Sequence, residues 1–199
     1  MAVEASMYSM DAKLSKHLKT YPYLASYIKS IERSIGIPMF YESNELSYDM
    51  KKLRNVNILY PVGEGIFIHI YMPPTGTVSG YRKYIAVEPP RIHPNLLKVI
   101  EMKLAETISE SDVVEDVDER RKLLLSKLDK VVRVVDSPVD YSRLKEGVRS
   151  IPIYRADYDY LKYYLVRDRV GLGFLEPFIR DPWLEDITCK GVGFVYVFH

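Results

Sequence analysis

The chain has 199 residues, with 28 Lys and Arg against 27 Asp and Glu, a formal net charge of +1 and a 47% hydrophobic content. That length fits one domain or two small ones, and the composition excludes disorder and a net-basic nucleic-acid binder. The lone Cys189 excludes an internal disulfide, and apolar runs such as Ile66–Met72 fall well short of the roughly 18 residues of a spanning helix. No basic-then-apolar leader is present in the first twenty residues, so a soluble, intracellular protein is expected. There is no glutamine, few asparagines and 17 tyrosines, a depletion of thermolabile residues that points to a thermophile.

Asp11 is placed to cap a first helix carrying Leu14, Leu18 and Tyr21 at helical spacing. Pro22 suits the first turn of a second helix, with Leu24, Ile28, Ile31 and Ile35 as its apolar stripe and Gly36 as its stop. Segment 1–36 is therefore expected to be helical. The period then changes. Ile37–Glu42, Val56–Pro61, Ile66–Met72 and Lys83–Glu88 are rich in Ile, Val, Tyr and Phe and are separated by turn residues. They predict a small antiparallel sheet, with Val62-Gly63-Glu64-Gly65 as a hairpin loop.

After Pro89-Pro90 the helical period returns. Leu96, Leu97, Ile100, Leu104 and Ile108 predict a helix over about 94–109. Six acids in 110–119, followed by Arg120, Arg121, Lys122, Lys127 and Lys130, complement the dipole of a long helix. Leu124, Leu128, Val131 and Val135 extend that helix to about Asp136. A further helix is expected over 156–170, then a short helical turn at 175–180 and a hairpin of 186–190 with 193–198. A two-stranded hairpin alone is marginal, so the chain reads as stopping inside its last domain. The fold class is α+β: N-terminal helices, a domain over 37–150 built from a small antiparallel sheet with packed helices, and the start of a second small α/β domain over 151–199.

Catalytic signatures are sparse. His17, His69, His93 and His199 lack metal-ligand spacing, no G-x-S-x-G elbow occurs, and Cys189 reads as a small hydrophobe. A phosphate loop of the form G-x-x-x-x-G-K-[ST] requires a Gly-Lys pair, and no Gly here precedes Lys. Gly63-x-Gly65 and Gly171-x-Gly173 read as turn glycines. Asp181, Glu185 and Asp186 surround Trp183; acid–base work and helix capping both fit them, capping better. Lys13, Lys16 and Lys19 line the first helix, either as a solvated face or as a contact for an acidic partner or anionic membrane.

The C-terminal third carries a resemblance. Tyr163-Tyr164-x-x-Arg167-Asp168-x-x-Gly171-x-Gly173-x-Leu175-x-Pro177 is followed by Arg180-Asp181-Pro182-x-x-Glu185-Asp186-Ile187, then Gly191-Val192-Gly193 and Val195-Tyr196-Val197-x-His199. Together with Tyr84-x-x-Val87-Glu88-Pro89, this pattern resembles archaeal secretion ATPases, the hexameric family behind archaellum, type IV pilus and type II-like secretion assembly. The resemblance covers about 60–199. It implies an N-terminal portion preceding a RecA-like motor, whose Walker and histidine boxes are absent here. It also implies ATP and Mg as cofactors of the parent and none in this portion, with no catalytic or nucleotide-binding residue carried over.

The implied partners are other copies in a ring, a polytopic membrane platform protein and accessory proteins, met at the cytoplasmic face of the membrane, and no nucleic acid. Arg167, Asp168, Gly171, Gly173, Asp181, Glu185 and Asp186 are then residues of a domain junction, and Lys13, Lys16 and Lys19 partner or membrane contacts. The competing class is a stand-alone adaptor without a motor.

Overall fold

In the computed structural model, residues 12–47, 55–74, 81–109, 112–189, 191–193 and 195–199 are described; Asp11, Glu110 and Phe194 lie outside them. The chain forms two compact units, Met1–Pro89 with Pro177–His199, and Pro90–Glu176. This division differs from segments 1–36, 37–150 and 151–199, because the second unit is inserted between two parts of the first. Both units mix helices and strands, so the protein is α+β.

In the first unit, α1 (Ala12–Thr20) and α2 (Pro22–Ile35) follow the expected pair of helices, with Pro22 in the first turn of α2. The Gly36 N–H closes α2 on the Glu32 carbonyl at 3.0 Å. Strands β1 (Met39–Phe40), β2 (Asn57–Gly63), β3 (Ile66–Tyr71) and β4 (Lys83–Val87) lie in that order. β2, β3 and β4 are antiparallel, but β1 runs parallel to β2, which corrects the all-antiparallel expectation. A parallel pair needs a crossover, and segment 41–56 is long enough to provide one.

The register decides which side chains share a face. Ile58 pairs with Ile70 and Tyr60 with Ile68; across β3, Ile70 faces Tyr84 and Ile68 faces Ala86. These residues form one apolar face with Leu46 and Val56, against which Trp183 packs. The alternate residues, Phe67 and His69, meet the helices: Tyr21 sits edge-on to Phe67, and Tyr27 to His69. With both faces covered, Ile66 to Ile70 are all buried, as expected for a strand that reads as a continuous apolar run. Among the described residues, β7 (Asp186–Cys189) and β8 (Val195–Phe198) pair only with each other.

The second unit packs α3 (Pro94–Ala105), α4 (Val117–Val131) and α5 (Arg155–Arg169) with β5 (Val132–Val135) and β6 (Ile151–Tyr154). Its core is Leu96, Val99, Ile100 and Leu104 of α3, Leu128 and Val131 of α4, Ile151 and Ile153 of β6, and Leu161 and Leu165 of α5. α3 stops at Ala105, which leaves Ile108 beyond the helix and exposed. Asp116 caps α4 by accepting the Glu119 N–H at 2.9 Å. The helix gives way to strand at Val132, four residues before the expected end, and β5 pairs in parallel with β6. Val131, Val132, Val134 and Val135 are β-branched and stiff at χ1, so the run favours a strand once a partner is available. Sequence reading assigns no element to Ile151–Tyr154; its Pro152 is tolerated because, among the described residues, β6 pairs with β5 alone.

The loop between α3 and α4 is fastened by Lys127, whose Nζ donates to the Thr107 carbonyl and to Asp112 Oδ2, both at 2.5 Å. Lys127 and the Ser109 N–H and hydroxyl together hold the Asp112 carboxyl down at about 2. No helix among the described residues is long and apolar enough to cross a membrane.

Candidate functional site

The motif residues of the C-terminal third fall into two structures, one in each unit. In the first unit, Asp181 is buried, 4% exposed. Its Oδ2 accepts the Tyr60 hydroxyl at 2.6 Å and the Tyr84 hydroxyl at 2.7 Å, and its Oδ1 accepts the Trp183 N–H at 3.0 Å. His199 Nε2 lies 2.6 Å from the Tyr60 oxygen. Tyr60 has a single proton and gives it to Asp181, so His199 serves as the donor to Tyr60. Burial first, and the Asp181 charge second, push both tyrosine hydroxyls far above their ordinary range and keep them protonated. Trp183 in turn donates its indole N–H to the Ser43 carbonyl at 3.1 Å.

Asp181 thus caps the turn into Trp183, as the capping reading expects, and also binds two strands of the sheet. Tyr60 and Tyr84 are on the same face because each pairs, from either side, with the Ile68–Ile70 row of β3. Glu185 and Asp186 do not join this cluster. Both are exposed; the Glu185 N–H donates to the Phe198 carbonyl at 2.8 Å, and Asp186 Oδ1 accepts the Ile187 N–H at 2.8 Å. The buried Asp181 carboxylate ties together segments of the chain that lie far apart in sequence.

Sequence reading missed Tyr60. The one available signal is general: a tyrosine in an otherwise apolar strand needs a partner for its hydroxyl when buried.

In the second unit, α5 ends where Arg167, Asp168 and the glycines predict. Val170 and Gly171 both donate to the Val166 carbonyl, at 3.0 and 2.9 Å. Arg167 lies over the Tyr164 ring, 4.6 Å from its centroid, and its Nε donates to Asp168 at 2.7 Å. The Leu172 N–H then donates to Glu176 Oε2 at 3.0 Å. Gly171 leaves the room for that carboxylate: a Cβ there would stand 2.7 Å from Glu176 Oε2 and 3.0 Å from the Arg167 carbonyl. Gly173 has φ +63°, the left-handed region. The tight turn directs Leu172 and Phe174 outward, 58% and 65% exposed.

Gly171→Val is expected to displace Glu176 and destabilise the second unit by about 2–3 kcal/mol, and Gly173→Ala by about 1 kcal/mol. Faster amide exchange along α5 would register both. Unchanged exchange in Gly171→Val would show that the turn absorbs the Cβ.

Of the three lysines of α1, Lys13 is paired with Glu45, which holds the Glu45 carboxyl below its usual range, while Lys16 and Lys19 are exposed. Among the described residues, no group of three or more His, Cys, Asp or Glu side chains is arranged to hold a metal ion.

No family model matches the chain. It is 35% identical to an uncharacterized protein of Methanocaldococcus jannaschii over 199 residues, covering 95% of this chain and 35% of the relative. A second uncharacterized protein of the same organism is 30% identical over 135 residues, 61% of this chain and 44% of that protein. The chain therefore spans about a third of the length of the first curated relative and under half of the second.

Proposed function

We propose that this chain is the N-terminal portion of a hexameric ATPase of the kind that drives archaellum or type IV pilus assembly or protein secretion. Its role in such a protein is to take part in ring assembly and to meet a membrane platform protein from the cytoplasmic side. The observation that carries the reading is the Tyr84–Asp181 hydrogen bond, 2.7 Å long and spanning 97 residues. The Tyr84–Pro89 segment, which begins in β4, and the Arg180-Asp181-Pro182 stretch each carry the resemblance independently, and here they share one bond. Two distant motifs that depend on each other physically are harder to meet by chance than either alone.

The matched relatives are compatible with the reading. Both are archaeal, and the first extends to about three times the matched length, which leaves room for a motor domain. ATP and Mg belong, on this reading, to that motor. The residues of this portion position: Asp181 ties the returning segment to the sheet, and the Gly171–Glu176 turn shapes the chain just before it re-enters the first unit. A thermophilic source also fits the absence of glutamine.

The test uses the product of the complete natural gene. Purified with Mg and ATP, it is expected to hydrolyse ATP and to form a sixfold ring by native mass measurement. A complete product that has no phosphate loop and no turnover would replace this reading with that of a stand-alone adaptor.

A further inference from the structure

We infer that the outer face of α1 and α2 is an electrostatic docking surface for an anionic lipid bilayer, formed by Lys16, Lys19, Lys29 and Arg33. The inference deepens the proposed function and rests on its placement of this portion beside a membrane. The charge distribution is the first support. Residues 12–35 hold five Lys and Arg and one acid, Glu32; removing these from the chain's 28 and 27 leaves 23 bases and 26 acids. A nearly neutral protein thus carries a local excess of positive charge, five bases to one acid, in one helical pair.

The second support is geometric. Leu14, Tyr23, Leu24 and Ile28 are buried, while Lys16, Lys19, Lys29 and Arg33 are exposed. Lys16 and Lys19 are three residues apart and Lys29 and Arg33 four, so each pair shares a helical face as like-charged neighbours. As like-charged pairs they lower helix stability slightly, which the placement of Lys19 and Arg33 in the last turns of their helices partly offsets. Lys13 and His17 turn toward Glu45 and Glu42 and stay out of the patch.

The third support selects the occupant. The hydroxyls between the cations are engaged locally: Thr20 with the Lys16 carbonyl, Ser26 with Pro22, Ser30 with Tyr27 and Ser34 with Ile31. No large apolar side chain of 12–35 is exposed. Protein interfaces are depleted in lysine and built around apolar or aromatic anchors, and single-stranded nucleic acid calls for exposed stacking rings. Exposed cations without apolar anchors match a plane of headgroup charge. Each cation near such a surface contributes about a fivefold gain in partitioning.

Co-sedimentation of the purified chain with vesicles tests this. Binding is expected to phosphatidylglycerol vesicles at about 0.05 M salt, absent on phosphatidylcholine, and lost near 0.5 M salt, where the Debye length is short. Joint substitution of Lys16→Gln, Lys19→Gln, Lys29→Gln and Arg33→Gln should weaken partitioning by about two orders of magnitude or more with the Trp183 emission unchanged. The charge-matched set Arg120→Gln, Arg121→Gln, Lys122→Gln and Lys130→Gln should leave it intact. Equal loss in both sets, salt-insensitive binding, or tight capture of RNA with none of the vesicles would each overturn the inference. Vesicle binding needs neither motor nor platform protein, so a failure here is distinct from failure of the ATPase reading.

Discussion

Asp181→Ala is expected to lower the stability of the first unit by about 3–5 kcal/mol, the largest effect of any single substitution considered. The change removes the acceptor for two buried hydroxyls and one backbone N–H. Asp181 is buried, and hydrogen bonds to a charged group are worth more than neutral ones. Asp181→Asn should lose about 2 kcal/mol, because its amide can satisfy either the Trp183 N–H or the tyrosines with oxygen, not both. Tyr60→Phe, which also removes a donor, should lose about 1 kcal/mol. Trp183 is the protein's single tryptophan and packs on the Tyr60 face, so its fluorescence during urea unfolding reads this unit directly. A shift under about 0.5 kcal/mol for Asp181→Ala, the range of ordinary surface changes, would show that the cluster is not what fastens residues 177–199.

The second large effect is a loss of stability in mild acid, centred on His69. This side chain is fully buried between Tyr27 and Asn57: Nδ1 is 2.7 Å from the Tyr27 hydroxyl and Nε2 2.8 Å from Asn57 Oδ1. An amide oxygen only accepts, so Nε2 carries the proton and Nδ1 accepts from Tyr27. Asn57 completes the link by donating to the Ile35 and Gly36 carbonyls at the end of α2. Burial lowers the His69 pKa to about 4.

The folded state therefore holds His69 neutral at pH values where the unfolded chain, near 6.5, already binds a proton. More protons on the unfolded state means that stability falls as pH falls. The loss begins at about pH 6.5, amounts to about 3 kcal/mol, and is complete near pH 4. His69→Gln keeps a donor and an acceptor but does not titrate. Its Trp183-monitored stability should be nearly flat between pH 6.5 and 5 where the natural protein declines. Parallel slopes in the two proteins would place the acid sensitivity elsewhere.

What could be read in advance was whatever the chain states locally. Pro22 and Gly36 bracket α2 because one lacks an N–H and the other permits the turn, and the acids of 110–119 followed by bases mark the direction of α4. The Val131–Val135 run reads as helix in sequence because Leu124, Leu128, Val131 and Val135 keep helical spacing. Only the remote partner Ile151–Tyr154 decides for the strand. The Asp181 cluster was legible as a set of motif residues but not as a site, since its sheet-side partners lie 121 and 97 residues away. His69 gave no local signal at all, being one histidine in an apolar strand. Residues far apart in the chain are joined by packing, which a linear pattern does not encode.

The insertion of one unit within the other also imposes an order of birth. During synthesis the Ile58, Tyr60, Ile68 and Ile70 face is complete long before Trp183 and Asp181 exist to cover it. At about 5–20 residues per second, the 121 residues from Tyr60 to Asp181 take about 6–24 s. The inserted unit, continuous in sequence, is free to close within that interval, while an apolar β-surface waits on the ribosome. Such a surface invites misassembly, so the nascent chain is the form of this protein most in need of chaperone cover.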